Sequence, residues 1–350
     1  MDDHADAPDL DGADLDLPFS LDALARWMDR ESLGDGPITE PALLAGGTQN
    51  ILLHFRRGDR GFVMRHPPRH KRPRSDQTME REARVLAAIA DSGVPHPAFI
   101  ASCSDHDVLG SSFYLMEPVE GYNPGAEGLP EHFTEADVRT MGFEMVDAIA
   151  TLSHVDYQAV GLEGFGRPDG WVERQVDRWK SQLDGYSDIA EYPGPDVGDV
   201  EAVTAWLRAD QPTDFQPGVL HGDCHFLNVL YQPNSPRLAA LLDWELSTVA
   251  DPLLDLGQLL SQWPIDGAVN IGLARPGWPT PDEVIDRYAT QTDRDMSSIQ
   301  WFRVLACYRL GIILEGSNAR GHAGQMPRDV AESLHQAAVG LFTKAEQLIA

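Results

Sequence analysis

Long apolar runs, cysteines and lysines are all scarce in this chain of 350 residues. The longest apolar stretches, such as Ile312-Ile313-Leu314, are far shorter than the ~20 residues that cross a bilayer, so no membrane association is expected. Three isolated cysteines, Cys103, Cys224 and Cys307, form neither a disulfide framework nor a paired metal-binding motif. Because the Asp-rich N-terminus also has no apolar signal segment, a cytoplasmic location is the simplest expectation.

Positive charge is scarce as well. The chain has 27 Lys and Arg residues against 55 Asp and Glu residues, which gives a formal net charge of −28. A protein this acidic repels nucleic-acid backbones, so nucleic acid is not an expected partner. An anionic substrate must be held by local cations or by a metal ion, because the field of the whole protein opposes its approach.

Hydrophobic periodicity divides the chain into three parts. Residues 1–18 are rich in Asp and have little to bury, which predicts a disordered acidic tail. Residues 19–117 combine short β-like runs with amphipathic helices and are predicted to form an α+β lobe. Residues 118–350 have mostly helical periodicity, interrupted by a polar segment with three short β-like runs. The strands predicted in the first lobe lie near residues 42–45, 50–55, 61–65, 98–102 and 112–116.

The polar segment of the second lobe carries the clearest chemistry. Asp223 follows one short apolar run, Asn228 begins the next, and Asp243 ends the third. Adjacent strands lie about 5 Å apart, so three neighbouring strands would bring these side chains to one edge. Carboxylate and amide oxygens suit Mg²⁺, which takes its remaining ligands from water and phosphate. We therefore predict Asn228 and Asp243 as metal ligands and Asp223 as the group that accepts a proton from a substrate hydroxyl.

The spacing from His221-Gly222-Asp223 to Asn228, followed by the distal motif Asp243-Trp244-Glu245, resembles the aminoglycoside phosphotransferase and choline kinase-like family. The resemblance implies an α+β, protein kinase-like two-lobed fold, with a small antiparallel-sheet N-lobe and a larger, mainly helical C-lobe. It implies an enzyme that uses ATP and Mg²⁺ to phosphorylate a hydroxyl of a small molecule, with Asp223 as its catalytic residue. The alternative for the same residues is a polar structural turn.

A glycine-rich turn and the end of the first lobe fit the nucleotide side of this resemblance. Gly46, Gly47, Thr48 and Asn50 lie between two predicted strands, where glycines let backbone N–H groups approach phosphates. Many such turns are simple hairpins. The segment Glu117-Pro118-Val119 resembles the hinge that binds adenine, through the Glu117 carbonyl and the Val119 N–H. An ordinary linker would have the same sequence character.

Arg65 occupies the strand position where kinases carry the lysine that pairs with the α- and β-phosphates. Arginine is also a good phosphate ligand, because its planar guanidinium binds oxygens in pairs. Glu82, on the following helix, is the expected ion-pair partner that orients Arg65, although a solvated helix face is the alternative for Glu82. The change from Lys to Arg leaves open a catalytically weak or inactive kinase-like protein that binds nucleotide.

Several further segments resemble the phosphotransferase domain of acyl-CoA dehydrogenase family members 10 and 11. Among them are Arg65-His66-Pro67-Pro68, Val94-Pro95-His96-Pro97 and Glu315-Gly316-Ser317-Asn318-Ala319-Arg320. In that group the strand cation is often Arg, which favours an active enzyme. These relatives imply a hydroxylated acyl compound or another small metabolite as acceptor, and an aminoglycoside stays open as the alternative. The sequence predicts no oligomeric state.

Two further sets of residues are ambiguous. Asp251 and Asp255 are expected to brace the loop that carries Asp223. A long helix near residues 297–316 places several large or charged side chains on one helical period. Packing in the helix core or surface pairing explains them better than a position facing the cleft does. The members of that second set are Trp301, Tyr308, Arg309 and Arg320.

Overall fold

The computed structural model describes residues 15–44, 50–264 and 273–350. Most of the predicted acidic tail and the predicted phosphate loop at Gly46, Gly47 and Thr48 lie outside the described residues. The described residues form two units. The first contains the chain up to Ala90 together with His96–Val119, and the second contains Asp91–Pro95 and Glu120–Ala350. The sequence placed this division between residues 117 and 118 and did not separate the short segment at 91–95.

The first unit is built on a five-stranded antiparallel sheet whose strand order is β1-β2-β3-β5-β4. Among the residues described in this unit, three helices accompany the sheet. The strands and helices are β1 (Ile38–Leu43), β2 (Ile51–Arg57), β3 (Arg60–His66), β4 (Phe99–Cys103), β5 (Phe113–Met116), α1 (Leu21–Arg30), α2 (Ser75–Ala88) and α3 (His106–Leu109).

The first strand lies earlier than the sequence predicted. β1 spans Ile38–Leu43, whereas the predicted strand spans residues 42–45. Pro41 hides the earlier half of the strand in the sequence, because proline argues against a strand at its own position. The structure tolerates this proline because β1 is an edge strand, and its pairing with β2 shifts register between Thr39 and Ala42. Proline lacks the N–H that an inner strand would need, so an edge with an irregularity is where it fits.

A tight hairpin between β2 and β3 positions Arg65. The hairpin turns at Gly58-Asp59, where Gly58 has a φ of +56°, and pairs Arg57 with Arg60. From that register Arg65 lies opposite Leu52 on one side and Tyr114 on the other. α1 packs Leu24, Trp27 and Met28 into the same core, whose centre also contains Phe55 and Phe62.

The second unit is mainly helical. Its helices and strands are α4 (Pro124–Glu127), α5 (Glu135–Ser153), α6 (Trp171–Gly185), α7 (Val200–Ala209), β6 (Gly218–Leu220), β7 (Val229–Tyr231), β8 (Leu238–Leu241), β9 (Thr248–Ala250), α8 (Leu253–Ser261), α9 (Pro281–Ala289), α10 (Ile299–His322) and α11 (Arg328–Ile349). Helix starts follow the local sequence. Thr134 and Thr280 each form a capping box with the acidic residue three positions on, at the start of α5 and α9.

α10 is the central helix of the second unit. Sixteen of its 24 residues are buried, and it contacts α6, α7, α8 and α11. A helix that is buried on most of its surface occupies the middle of a core rather than its edge. Gly311 allows the close approach of α11, since a Cβ at that position would lie 2.8 Å from the Phe342 ring.

The three short strands around Asp223 do not form the single sheet that the sequence predicted. β6 pairs with β9, and β7 pairs with β8, in two separate two-stranded ladders. The pairing partner of β6 was missed because β9 has only three residues, too few for a hydrophobic pattern. In the parts of the chain that the structure describes, no helix has the length and hydropathy needed to span a membrane.

Candidate active site

The loop that carries Asp223 begins with a backbone conformation that requires glycine. Gly222 follows β6 closely and has a φ of +84°. A Cβ at this position would lie 2.3 Å from the carbonyl oxygen of Leu246. Both the left-handed conformation and the close backbone contact exclude a side chain here. The chain therefore turns sharply out of β6 immediately before Asp223.

Asp255 fixes the start of this loop from α8. One oxygen of its carboxylate accepts the N–H of His221 at 2.6 Å, and the other accepts the N–H of Gly222 at 2.8 Å. The carboxyl group is buried, and burial raises the pKa of Asp255 to about 6 against the two hydrogen bonds. Asp251, which begins the same segment, accepts the N–H groups of Leu253 and Gln216.

The imidazole of His221 joins this loop to the segment that precedes Asp243. Its Nδ1 accepts the N–H of Asp223 at 3.3 Å, so in the neutral ring Nε2 carries the proton and donates to the Leu242 carbonyl at 2.8 Å. Burial lowers the pKa of His221, which keeps the ring neutral. The ring also packs against Trp244, with centroids 4.7 Å apart. His221 is therefore an anchor between two loops.

Asp223 and Asn228 lie in direct contact. Nδ2 of Asn228 donates to Oδ2 of Asp223 and to its backbone carbonyl, both at 3.1 Å. His225 lies beside this pair, with Nε2 at 3.4 Å from Oδ2 of Asp223. Because Nδ1 of His225 accepts the N–H of Leu227, the proton of the neutral ring lies on Nε2, facing Asp223. The sequence did not assign His225 to the site.

Asp243 is held close to Asn228 through the backbone. The N–H of Leu242 donates to the Asn228 carbonyl at 2.8 Å, and Asp243 is the next residue. Asp243 has a φ of +63°, in the left-handed region that a non-glycine residue seldom occupies. Strained backbone of this kind persists where surrounding contacts fix it, and it concentrates at functional sites. The short 3₁₀ turn Trp244–Leu246 follows directly.

The residues predicted as metal ligands fit a magnesium ion chemically. Within the described residues, the side-chain amide of Asn228 makes its contacts through Nδ2, which leaves Oδ1 available as a ligand. A carboxylate from Asp243 adds a second hard oxygen, and Mg²⁺ is usually held by only one or two protein oxygens besides water and phosphate. The donor set therefore matches this ion, with neither a thiolate nor an imidazole required.

The electrostatics keep Asp223 ionised. Burial opposes its charge, but the hydrogen bond from His225 and the positive charge of Arg309 hold the pKa of Asp223 below its ordinary value. Its side chain is 27% exposed, so it can still reach a bound molecule. The neighbouring thiol behaves in the opposite way, since burial raises the pKa of Cys224 well above its usual range. Cys224 is therefore unsuited to act as a nucleophile.

In the first unit, the structure brings Arg65 and Glu82 together. Nε of Arg65 lies 3.1 Å from Oε2 of Glu82, and both side chains are buried. The hydroxyl of Tyr114 on β5 donates to the same Glu82 oxygen at 2.7 Å. Glu82 is therefore not a solvated residue on α2, which was the alternative that the sequence left open. An ion pair with a fixed hydrogen-bond donor holds the guanidinium in one orientation.

The other predicted nucleotide-binding residues are only partly described. Asn50 directly precedes β2 and is partly buried. Glu117 follows β5; its N–H donates to the Ala98 carbonyl at 2.9 Å, and its exposed carboxylate pairs with Arg60 at 3.0 Å. Val119 is the last residue of the first unit. Gly46, Gly47 and Thr48 lie outside the described residues.

Arg309 is a residue that the sequence could not assign and that contacts the loop directly. It lies on α10, is 8% exposed, and donates from Nη2 to the Gly222 carbonyl at 2.7 Å. Its Nη1 donates to Oε1 of Gln258 on α8 at 3.2 Å. The one signal in the sequence was a charged residue in an otherwise apolar helical run. That signal does not distinguish a buried cation from one at the surface.

Comparison with curated proteins relates the chain to much longer proteins. Acyl-CoA dehydrogenase family member 10 of Mus musculus is 29% identical over 297 residues, which cover 82% of this chain and 27% of that protein. Acyl-CoA dehydrogenase family member 11 of Gallus gallus is 28% identical over 314 residues, which cover 87% of this chain and 39% of that protein. The chain thus spans well under half the length of the curated relatives it matches.

Comparison with solved structures gives the fold. A candidate aminoglycoside phosphotransferase from Ralstonia eutropha superimposes with a TM-score of 0.78 and 26% identity, over 94% of this chain and 99% of that one. The chain therefore has the kinase-like α+β fold of the aminoglycoside phosphotransferases, as the sequence predicted. The profile of the phosphotransferase enzyme family matches residues 42–301, which contain Arg65, Asp223 and Asp243. The chain belongs to the phosphotransferase enzyme family.

Proposed function

We propose that this protein transfers the γ-phosphoryl group of ATP to a hydroxyl of a small molecule, with Mg²⁺ as cofactor. The observation that carries the proposal is the contact between Asp223 and Asn228 on a loop fixed by Asp255. One carboxylate oxygen is engaged by Asn228, the charge is maintained, and the side chain is partly exposed. These are the properties required of a group that orients a hydroxyl and accepts its proton.

Each proposed site residue then has one role. Asp223 accepts the proton of the acceptor hydroxyl as the hydroxyl oxygen bonds to the γ-phosphorus; the bond from that phosphorus to the bridging β-phosphate oxygen breaks, and ADP leaves. Asn228 and Asp243 would hold Mg²⁺, which would supply neutralisation of the negative charge on the nucleotide phosphates. Arg65, oriented by Glu82 and Tyr114, binds α- and β-phosphate oxygens. Phosphoryl transfer needs little covalent chemistry from the protein, so these roles consist of positioning and charge neutralisation.

The remaining nucleotide contacts follow the resemblance to kinases. Gly46, Gly47, Thr48 and Asn50 are proposed to contact the phosphates through backbone N–H groups and side-chain oxygens. The Glu117 carbonyl and the Val119 N–H are proposed to bind the base. Solved aminoglycoside phosphotransferases of this fold include complexes with GDP and with AMP-PNP. For this reason both ATP and GTP belong in the test, and ATP is the donor we propose.

The acceptor is proposed to be a small hydroxylated metabolite. The curated relatives are named as acyl-CoA dehydrogenase family members, and the Ralstonia eutropha neighbour is named for aminoglycosides. Since the chain spans only part of those curated relatives, their dehydrogenase activity does not transfer to it. Hydroxylated acyl compounds and one aminoglycoside, kanamycin, are therefore both included as acceptors.

The test combines an acceptor screen with one variant pair. Purified protein is incubated with Mg-ATP or Mg-GTP and pooled hydroxyl compounds, and products heavier by one phosphoryl group are read by mass spectrometry. Asp223→Asn is expected to lower turnover by about 10²–10⁴-fold, the usual contribution of general acid–base catalysis. It should keep the thermal stabilisation that Mg-nucleotide gives to the wild type, because it leaves the metal ligands unchanged.

Asp210→Asn is the matched control, since Asp210 is exposed at the end of α7 and contacts none of the site residues. It should retain wild-type turnover. Equal turnover in Asp223→Asn and the wild type would remove Asp223 from the proposed role. Absence of both nucleotide stabilisation and phosphorylated product in the wild type would reject the proposed function. Stabilisation without any product would favour a kinase-like protein that only binds nucleotide.

A further inference from the structure

The peptide plane between Gly222 and Asp223 is fixed at both of its polar atoms. Its carbonyl oxygen, on Gly222, accepts Nη2 of Arg309 at 2.7 Å. Its N–H, on Asp223, donates to Nδ1 of His221 at 3.3 Å. Because this plane sets the direction in which the Asp223 side chain leaves the backbone, a change at either atom would rotate the carboxylate.

Glycine makes this anchor necessary. Gly222 has access to conformations that other residues lack, so its flanking peptide planes can rotate at low energy unless hydrogen bonds hold them. The Asp255 carboxylate on α8 accepts the N–H of Gly222, and the Arg309 guanidinium on α10 donates to the Gly222 carbonyl. Two helices of the second unit therefore hold the single residue that precedes Asp223.

A buried arginine at this position carries a desolvation cost. Its guanidinium is buried, and burial lowers the pKa of Arg309 although the negative charges of Asp223 and Asp255 oppose this. Among the residues that the structure describes, no carboxylate forms a salt bridge with it, and its hydrogen-bond acceptors are the Gly222 carbonyl and Gln258. An apolar side chain of similar volume would pack in a helix core without the desolvation penalty of a cation.

We propose that Arg309 is a positioning residue, which holds the Gly222–Asp223 peptide so that the Asp223 carboxylate faces the acceptor hydroxyl. This inference rests on the proposed function and adds to it a residue on α10, a helix remote in sequence from the catalytic loop. Arg309 acts through the backbone and does not touch substrate. Its loss should therefore reduce the rate of the chemical step and leave nucleotide binding unchanged.

Arg309→Met is the principal variant, and Arg57→Met is its matched control. Arg57 is also a buried arginine, 2% exposed, which pairs with Asp29 and donates to the Gly36 carbonyl at 2.9 Å. Both variants replace a buried guanidinium with an apolar chain, and both should lower the melting temperature. Only Arg309 contacts the catalytic loop, so only Arg309→Met should change turnover.

The measured quantities are kcat and the KM for nucleotide, at a temperature where all variants are folded. A displacement of about 1 Å in a catalytic group can reduce the rate about 100-fold, so a kcat about 100-fold below wild type is expected for Arg309→Met. The KM for nucleotide should stay within about twofold, a change of roughly 0.4 kcal/mol that leaves binding essentially intact. Added guanidinium ion should restore part of the turnover of Arg309→Ala and leave the turnover of Arg57→Ala unchanged.

Two results would overturn the inference while the proposed function stands. One is an Arg309→Met enzyme whose kcat equals that of Arg57→Met, and the other is a large rise in nucleotide KM at unchanged kcat. If Arg309→Met does not fold, Arg309→Lys decides, because an ammonium lacks the fork that binds Gly222 and Gln258 together. Its kcat should fall about tenfold or more, and a wild-type kcat would reject the inference. A wild-type protein without any phosphoryl transfer would instead reject the proposed function, and the inference with it.

Discussion

At the scale of single residues, the direction of the Asp223 side chain depends on its neighbours. Gly222 provides the turn that precedes Asp223. Asp255 accepts the N–H of Gly222, and Arg309 donates to the Gly222 carbonyl. His221 accepts the N–H of Asp223. Asp223 therefore leaves the backbone in a direction set by four other residues. The chemistry of the carboxylate follows from its residue type, and its direction follows from these contacts.

Gly222→Ala is expected to destabilise the protein more than Gly110→Ala, which also replaces a glycine of positive φ. Gly222 and Gly110 have φ values of +84° and +80°, but a Cβ at Gly110 would meet no atom within 4 Å. The left-handed conformation alone costs an alanine about 1–2 kcal/mol, which both variants should lose. The clash with the Leu246 carbonyl should add about 1–3 kcal/mol in Gly222→Ala alone. Chemical denaturation of the two variants measures this difference, and equal losses would contradict it.

Asp255 should give the stability of the protein a measurable dependence on pH. Its folded pKa of about 6 lies above its ordinary value of 3.8, so the folded state binds this proton more tightly than the unfolded state does. The resulting stabilisation is fully present below pH 3.8 and is lost as pH rises through about 6. Its size is on the order of 3 kcal/mol. The free energy of unfolding should therefore fall between pH 4 and 6 through this group and be constant above.

Comparison with Asp255→Asn isolates that group from the other carboxylates. Urea denaturation between pH 4 and 8 should give a difference in the free energy of unfolding between the wild type and Asp255→Asn. That difference should change with pH below pH 6 and be constant above it. A difference independent of pH would mean that Asp255 titrates near its ordinary value in the folded protein. The amide of Asn offers one oxygen as acceptor, so the variant also loses part of the anchor at every pH.

At the scale of elements, β3 and α2 are joined by the buried pair of Arg65 and Glu82. β3 contributes the cation, α2 the carboxylate, and β5 the hydroxyl of Tyr114 that fixes the carboxylate. Removing one member of a buried pair leaves the other charge uncompensated, which typically costs about 3–5 kcal/mol. The position of α2 relative to the sheet therefore depends on this contact.

A double-mutant cycle tests that dependence. Arg65→Met and Glu82→Gln should each lower the free energy of unfolding by about 3 kcal/mol, and the double variant should lose clearly less than the two together. Glu80→Gln, on the exposed side of the same helix, should be close to wild type. Additive losses would mean that the two side chains are not coupled. Under the proposed function, Arg65→Lys should weaken nucleotide binding less than Arg65→Ala, because the charge is retained.

At the scale of the whole molecule, the formal charge of −28 acts against the folded state. Like charges repel more strongly in the compact chain than in the unfolded one, and salt screens that repulsion. The screening length falls from about 30 Å at 0.01 M salt to about 10 Å at 0.1 M. The melting temperature should therefore rise with sodium chloride over this range. Sucrose at equal osmolality is the control, and a melting temperature that falls with salt would show that attractive surface pairs outweigh the repulsion.

Much of the fold could be predicted from local patterns. Strands β2 to β5 of the first unit, its antiparallel hairpin at Gly58-Asp59, and the long helices of the second unit all have clear periodicity or turn chemistry. The misplaced strand β1 and the missed strand β9 are the exceptions. β1 contains Pro41, and β9 has only three residues, so the strand signal in the sequence is weak at both positions. Each of these strands forms by pairing with another strand, β1 with β2 and β9 with β6.

The sequence by itself predicted which side chains would perform the chemistry: residue type and spacing indicated Asp223, Asn228 and Asp243, and the resemblance to kinases added Arg65 and Glu82. Only the tertiary structure decided how they are held. The two separate strand ladders, the backbone link from Leu242 to Asn228, and the buried Arg309 behind Gly222 arise from contacts between distant segments. Residue type and spacing carry chemical identity, whereas burial and hydrogen-bond direction exist only once helices and loops far apart in sequence have packed together.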